Sequence, residues 1–453
     1  MPIPAGRATF ICPVLVGRDD LLELADRRLA VARAGEGQLL LLAGEAGIGK
    51  TRLLGAIARR AGLAGIPRAW AASFPGDVEL TGGLLLDLAR GLGRPDAPSG
   101  AAPIGKRIES RLLGDDGRPA DGDAHRRRRL LVLDLVDLLA SIAADGAAAI
   151  LLEDLHWADD LSLEVLGQLA RRLPELPLLV VGTYRSDELY PRIPMREWRA
   201  RLLNGRLADE APLRRLGAAE LATMAGALLG SDLPVPADVV DALRLRCDGI
   251  PLHVEELLGA IGQVDPSGDQ LRSQTVPDTL ADAVIHRAGG LTPAARRLAD
   301  AAAVVGREFD ARLLADITGD DPATIDAGLT ALVERHFLVN ADEPGRFDFR
   351  HALIRDALHD AVPDIERRDL HRRVAAAAMG RPEIGSEAFL SMHYAGALMA
   401  PEAYRFALSA GRRAAGLSSH REAAELFERA TRFIDADAPP AERAALVAAH
   451  AAE

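Results

Sequence analysis

Cysteine is nearly missing. Only Cys12 and Cys247 occur in 453 residues, far apart in the chain. This excludes a disulfide scaffold and a cysteine-rich metal site, and it suits the reducing cytoplasm. Aromatic residues are scarce at 4%. Long apolar runs are absent as well: the longest, around Leu39–Ala43, Ala147–Leu152 and Leu176–Val181, fall far short of the ~18–20 residues a membrane helix needs. The apolar stretch Ala8–Val16 is broken by Pro13, and no small-residue cleavage site precedes Arg18-Asp19-Asp20, so the start does not read as a signal peptide. Positive charge is not in excess either. With 54 Lys and Arg against 66 Asp and Glu the net charge is −12, which makes the chain a poor general binder of nucleic acid. The expectation is a soluble, cytoplasmic protein without membrane contact.

What is present is ordinary globular composition, 49% hydrophobic and 26% charged with 42 Gly and 27 Pro. At ~100–200 residues per domain the length predicts several domains. From Gly17 to Gly217 short apolar runs alternate with helical stretches, the signature of an α/β domain with a parallel sheet. The spacing predicts strands at Gln38–Ala43, Arg68–Ala72, Ala147–Leu152 and Leu178–Thr183, with a last one near Ala211–Leu216. Gly91–Asp123, rich in Gly, Pro and Asp, reads as a mobile excursion with one short helix near Ile104–Leu113. His125–Arg129 opens an apolar helix, and its arginine run reads as a solvated helix start, with phosphate or nucleic-acid contact as the alternative.

After Gly217 the strand signals fade. Helices are predicted at Ala218–Gly230, Ala237–Cys247 and Leu252–Ile261, then a polar linker at Gly262–Gln274. Helices near Leu280–Ala288, Pro293–Val305, Ala311–Ile317 and Ile325–Glu334 precede a hairpin at Leu338–Phe349, an order that describes a winged helix. From Asp364 onward the chain is alanine-rich helix. Gly411, Ala423, Phe427 and Ala430 match the small-small-aromatic-small spacing of a tetratricopeptide helix pair. Such arrays need at least ~3 units, and the sequence stops inside what reads as the next helix, which suggests a fragment of a longer protein.

The strongest chemical signal is Gly44-Glu45-Ala46-Gly47-Ile48-Gly49-Lys50-Thr51, a full GxxxxGK[ST] match between an apolar strand and the helix opening at Arg52. The glycines let the backbone wrap so that successive N–H groups point at phosphates, and the helix N-terminus adds partial positive charge. Lys50 supplies a point charge for the β- and γ-phosphates, and the Thr51 hydroxyl a ligand for Mg²⁺. This loop predicts a bound nucleoside triphosphate, ATP or its product ADP. A second strand, Ala149–Leu152, ends in Glu153-Asp154, placing two carboxylates at the carboxyl end of the sheet. One would hold Mg²⁺ through its hydration shell and the other orient or deprotonate the attacking water; which acid does which stays open, and surface acids are the plain alternative. After a third strand come Thr183 and Arg185. Arg185 is a candidate for sensing the γ-phosphate, with a salt bridge to Asp187 or Glu188 as the alternative. His156, His253, His351 and His371 have plain structural readings, and only His156 follows the acid pair closely.

Together, VGRDDLLEL, GEAGIGKT, ILLEDLHWADD, VVGTYRSDE, GIPLHVEELL and FRHALIRDAL resemble the signal-transducing ATPases with numerous domains, the STAND class. Within that class they look most like the large ATP-binding regulators of the LuxR family. The resemblance implies that Gly17 and Arg18 lie near the adenine, and that Pro251 of the Gly249-Ile250-Pro251 lid motif touches the nucleotide. Ile250 and His253 depart from the usual Asn and Phe. It also implies an AAA- or STAND-like P-loop core at 14–216, a helical lid at 217–275, a winged-helix-like domain at 276–362 that packs on the ATPase, and the start of tetratricopeptide-like repeats at 363–453. The expected nucleotide-binding set is residues 44–51 with Arg52, Gly17, Arg18 and Pro251; Glu153, Asp154 and Arg185 form the catalytic set, and Thr51, Glu153 and Asp154 the metal set. The implied function is an ATP-hydrolysing switch of a transcriptional regulator, with an effector or partner protein sensed by the repeats and self-association left open. DNA would be reached only through a helix-turn-helix outside this sequence. The alternatives are the ATPase-and-repeat portion of a nucleotide cyclase or kinase, and an interaction scaffold with a structural nucleotide.

Overall fold

Unbroken runs of Leu, Ile, Val and Ala form a parallel sheet in the computed structural model, which describes residues 12–74, 80–113, 124–186, 193–230, 234–261, 280–306, 308–341, 345–350, 352–381, 385–435 and 438–452. Its strands are β1 (Gln38–Gly44), β2 (Arg68–Ala72), β3 (Ala148–Glu153), β4 (Leu178–Arg185) and β5 (Asp209–Pro212). Their order is β2-β3-β4-β1-β5, all parallel. β3 and β4 are buried at every position, as strands covered on both faces must be. β5 starts two residues earlier than the apolar pattern predicts and ends at Pro212. As an edge strand it has an exposed side that tolerates Asp209, and those acids hid its start.

The flanking helices are α1 (Asp19–Arg33), α2 (Lys50–Leu63), α3 (Gly83–Gly91), α4 (Ala101–Leu113), α5 (Ala124–Ala140), α6 (Asp160–Arg172) and α7 (Ile193–Asn204). Leu84, Leu88, Ile108, Leu135 and Leu139 close one core with the sheet residues Leu39, Ile150 and Val180. The expected excursion is therefore half structured: α4 is longer than predicted and α3 precedes it, because their leucines are drawn into that core. Residues 114–123 lie outside the described residues.

Packing divides the chain into two compact units, Arg18–Arg214 with Ala407–Glu453, and Met1–Gly17 with Arg215–Phe406. The last helices group with the P-loop core. In the first unit, the end of α18 (Ala400–Gly416) meets α19 (His420–Phe433), which is followed by α20 (Pro440–Ala452). Gly411 is required there, because a Cβ at that position would stand 2.8 Å from the Phe427 ring. Ala423, Phe427 and Ala430 are buried, so the small-aromatic spacing is a packing pattern here.

The arginine run is not simply a solvated helix start. Arg126 and Arg129 are exposed, but Arg128 turns inward. Its guanidinium donates to the carbonyls of Leu417 (3.1 Å) and Ser418 (2.8 Å), to Ser419 Oγ (3.0 Å) and to Glu164 Oε2 (2.8 Å). A planar fork with five donors can satisfy several acceptors at a helix C-terminus at once.

The second unit holds α8 (Ala218–Leu229), α9 (Ala237–Cys247) and α10 (Pro251–Ile261), which share a core of Leu221, Met224, Leu243, Val254 and Leu258. Beyond residues 262–279, which include the expected linker and lie outside the described residues, come α11 (Leu280–Ala288), α12 (Pro293–Val305), β6 (Glu308–Asp310), α13 (Ala311–Thr318), α14 (Pro322–Glu334), β7 (Leu338–Asn340) and β8 (Arg346–Phe349). Side-chain caps from Thr292, Asp310 and Asp321 start α12, α13 and α14 and explain why these helices were readable. The hairpin forms as expected. β6 adds an antiparallel third strand in the order β6-β8-β7, anchored by Phe309, which stacks on Phe347 and meets Phe349 edge-on. Helices α15 (Ala352–Ala361), α16 (Asp364–Ala378) and α17 (Glu387–Gly396) complete the unit.

Candidate functional site

The loop from Gly44 to Gly49 joins a buried strand to α2 through two left-handed glycines, Gly47 (φ 75°) and Gly49 (φ 100°). Gly49 is the N-cap of α2 and has no side chain to satisfy the first-turn N–H groups, which leaves that role to an anion. Ile48 is buried and pins the loop to the core, while Glu45, Ala46 and Gly47 are half-buried. Lys50 is only 6% exposed, and its Nζ donates to the carbonyls of Gly44 and Glu45 at 2.8 Å each. These carbonyl dipoles hold the ammonium over the loop. Thr51, one residue on, is exposed on the first turn, and Arg52 is half-buried beside it.

β3 delivers its acid to the same place. The Thr51 hydroxyl donates to Glu153 Oε1, and Glu153 is 3% exposed. Asp154 points elsewhere: its backbone is left-handed (φ 55°), its N–H donates to Thr183 Oγ1 at 2.9 Å, and its Oδ1 lies 3.9 Å from His156 Nδ1. A left-handed aspartate is uncommon, and here a fully buried hydroxyl from the neighbouring strand holds it. The two adjacent acids are thus separated by a backbone reversal, with Glu153 on Thr51 and Asp154 near His156.

The register of β4 on β1 sets Arg185 opposite Gly44, at the root of the phosphate loop, and Ser186 N–H donates to the Gly44 carbonyl at 3.3 Å. Arg185 is 9% exposed. The suggested partners Asp187 and Glu188 lie outside the described residues, as does His351. Arg18, 4% exposed, donates from one guanidinium nitrogen to the carbonyls of Ile48 (3.3 Å) and Arg214 (2.7 Å), tying the phosphate loop to the segment after β5. Lys50, Thr51, Glu153, Asp154, Arg185 and Arg18 all belong to the unit built on the large sheet.

Gly17 and Pro251 belong to the other unit. There Gly17 takes a left-handed turn (φ 65°), and Pro251 is the first residue of α10, where its missing N–H costs nothing. The Leu216 N–H donates to the Gly249 carbonyl at 2.8 Å, and buried Ile250 fixes the entry to that helix.

The donor set suits a hard divalent cation. A threonine hydroxyl and a glutamate carboxylate already in contact are oxygen ligands of the kind Mg²⁺ takes alongside water. Among the described residues no cluster of three or more His, Cys, Asp or Glu forms a metal cage, so phosphate oxygens and water would supply the remaining ligands. No helix among the described residues is long and apolar enough to cross a membrane.

Sequence reasoning did not assign Asp159, which is fully buried. It caps α6 through the Ser162 N–H (3.0 Å) and accepts the Gly82 N–H at 2.8 Å. Burial pushes its carboxyl above the usual carboxylate range, against the pull of those hydrogen bonds. The signal was present as an aspartate directly before an apolar-periodic helix. Glu422, also buried, gave no such signal.

Residues 14–181 match the family model of the AAA ATPase domain. An uncharacterized protein of Rhizobium meliloti (strain 1021) is 28% identical over 92% of this chain, and the chain spans only 42% of that relative's length. Among solved structures, a Signal Transduction ATPase with Numerous Domains protein with a tetratricopeptide repeat sensor from Pyrococcus horikoshii aligns over 96% of this chain and 61% of its own, at 15% identity and a TM-score of 0.48. A Walker-type ATPase of Pyrococcus abyssi aligns over 76% of this chain and 96% of its own, at 14% identity and a TM-score of 0.37. The phosphate loop, the acid at the end of β3 and the strands β1 to β3 fall within the matched segment, and the domain has the parallel α/β fold of a P-loop NTPase, similar to the AAA ATPase domain.

Proposed function

We propose that the chain is the ATP-dependent switch of a STAND-class signalling protein, of the kind found in large LuxR-family regulators. ATP binds at the phosphate loop and is slowly hydrolysed with Mg²⁺. The observation that carries this reading is the contact of Thr51 with Glu153 directly beside Lys50. A hydroxyl, a carboxylate and an ammonium at one helix start support this reading, because phosphoryl transfer uses side chains of these types. Thr51 and Glu153 would hold Mg²⁺, which neutralises charge on the phosphates when bound. Lys50 and the first-turn N–H groups of α2 hold the phosphates, and Arg185 faces the root of the loop, where it responds to the γ-phosphate. Arg18 keeps the loop in its binding shape through the Ile48 carbonyl.

The output is transcription, through a DNA-binding module outside this sequence, and the helices from residue 363 onward receive an effector or partner protein in the cytoplasm. The winged-helix-like region serves packing, not base reading. Its α14 spends Ile325, Leu329 and Leu332 on the core and lacks the Arg, Asn and Gln pattern that reads base edges. A ligand moves such a switch only by its differential affinity for the two states. The test is calorimetric titration of the chain with ATP and ADP, with and without Mg²⁺, together with steady-state phosphate release. Expected are micromolar binding of both nucleotides and slow, Mg²⁺-dependent turnover. No nucleotide binding at millimolar ATP would overturn the assignment.

A further inference from the structure

Glu422 opens the first turn of α19 and is completely buried against the segment that links β3 to α6. Its Oε1 accepts the Asp160 N–H at 2.8 Å, and its Oε2 has no hydrogen-bond partner among the described residues. The charged groups around it are mostly of its own sign. From the linking segment come Asp159 and Asp160, both acidic. From its own helix comes Arg421, whose Nη2 lies 3.7 Å from Glu422 Oε1 and whose Nε lies 3.4 Å from Asp160 Oδ1. His420 of α19, His125, Arg128 and Arg129 of α5, and Glu164 of α6 line an adjacent open cavity of about 530 Å³ with Asp160. Arg128 is already committed to Glu164 and to the α18–α19 turn.

An ionised carboxylate in that position faces two further carboxylates with one buried oxygen lacking a donor, a costly arrangement. A proton on the carboxyl removes a buried charge that stands beside two aspartates. We propose that Glu422 is a proton-dependent latch that fastens the repeat helix α19 to the Asp159-Asp160 segment, closed when its carboxyl is protonated and open when it is ionised. Burial and the two aspartates push this carboxyl up to about 7, from an ordinary 4.5. A folded-state value above the free one means that docking is fully favoured below the ordinary carboxylate range and weakens as pH rises through neutrality. The segment it grips runs back through one helical turn, Leu155–Trp157, to Asp154. The latch therefore joins repeat helix and acid loop by a contact that a unit change in pH can loosen.

The experiment is hydrogen–deuterium exchange on the full chain between pH 5.5 and 8.5, corrected for intrinsic exchange rates, with peptides covering 417–433 and 159–163 as the readout. It needs no ATP turnover, so its outcome is separate from that of the ATPase reading. In the wild type the opening equilibrium of α19 should rise about 30-fold across this range. Glu422→Gln keeps the acceptor for the Asp160 N–H and cannot ionise, so its peptides should stay protected throughout. Asp160→Asn removes one opposing charge while keeping the N–H, and should shrink the rise without abolishing it. Equal pH dependence in wild type and Glu422→Gln, or a flat wild-type profile beside normal protection of the β3 and β4 peptides, would overturn the proposal.

Discussion

Two acid pairs stand six residues apart on one stretch of chain, Glu153-Asp154 and Asp159-Asp160, and they do opposite work. The first ends a strand. Its glutamate meets the Thr51 hydroxyl and its aspartate is turned away by a left-handed backbone. The second starts a helix. Asp159 vanishes into the core to satisfy two backbone N–H groups, and Asp160 presents its own N–H to Glu422. Residue type does not separate the pairs, and neither does simple burial, since Glu153 and Asp159 are both nearly inaccessible. What differs is the setting of the partners: Glu153 meets a hydroxyl beside an anion-ready helix start, whereas Asp159 takes two backbone N–H groups and the Ser162 hydroxyl of the helix it caps. A carboxylate beside an exchangeable ligand site can do chemistry; one whose partners belong to the helix it caps holds shape.

The comparison can be broken most forcefully at the loop that gives the first pair its meaning. Lys50→Ala should weaken ATP binding at least 100-fold in a calorimetric titration, about 2.7 kcal/mol, while leaving the circular dichroism spectrum unchanged. Unchanged affinity would remove the reason to regard Glu153 as anything but a buried acid. Next in size, Glu153→Gln with Asp154→Asn should keep nucleotide affinity within a few fold and lower Mg²⁺-dependent phosphate release by ~10²-fold or more. Turnover at the wild-type rate would erase the contrast between the pairs.

The second pair should fail differently. Asp159→Ala strands the Gly82 N–H in the core and uncaps α6, a loss of about 2–4 kcal/mol in denaturant unfolding. Any chain that still folds should bind ATP normally. Asp159→Asn keeps an oxygen for the same N–H groups, so its cost should stay within about 1 kcal/mol. Its informative readout is pH. The folded-state value of Asp159 is raised, so the wild type gains from protonation at low pH and loses that gain as pH climbs above the usual carboxylate range. The Asn variant cannot titrate, and its stability relative to wild type should improve across that window. A constant difference would mean that Asp159 is not strained by its burial.

Much of this was legible in the amino-acid order. The phosphate loop, β1 to β4, the helices α8 to α10 and the helix–hairpin order of residues 280–349 were all readable, because glycine patterns, apolar runs and capping residues act locally. The parts that were not legible depend on distant neighbours. β5 was misplaced because an edge strand may carry acids, and β6 was missed because three residues pair only once β8 is beside them. Arg128 looked solvated until a turn nearly 300 residues later supplied its acceptors. Glu422 lies on a helix whose pattern is ordinary, and only the Asp160 N–H opposite it makes it unusual. At the site, the sequence left open which of Glu153 and Asp154 takes which role, and the backbone reversal between them leaves no composition-level signal.

The sheet order has a mechanical consequence. β4 lies between β1 and β3, bonded along its length to the strand that carries the phosphate loop and to the strand that carries the acid. Sliding Thr51 and Glu153 apart by moving strands would mean shearing a hydrogen-bonded ladder, β1 on β4 or β4 on β3, in a densely packed interior. The frame is therefore rigid, like the body of a vice, and only the jaws can travel: the side chains at the strand ends and the loops beyond them. Information about the nucleotide must leave this domain as rotamer and loop changes at one rim of the sheet, not as deformation of the sheet itself.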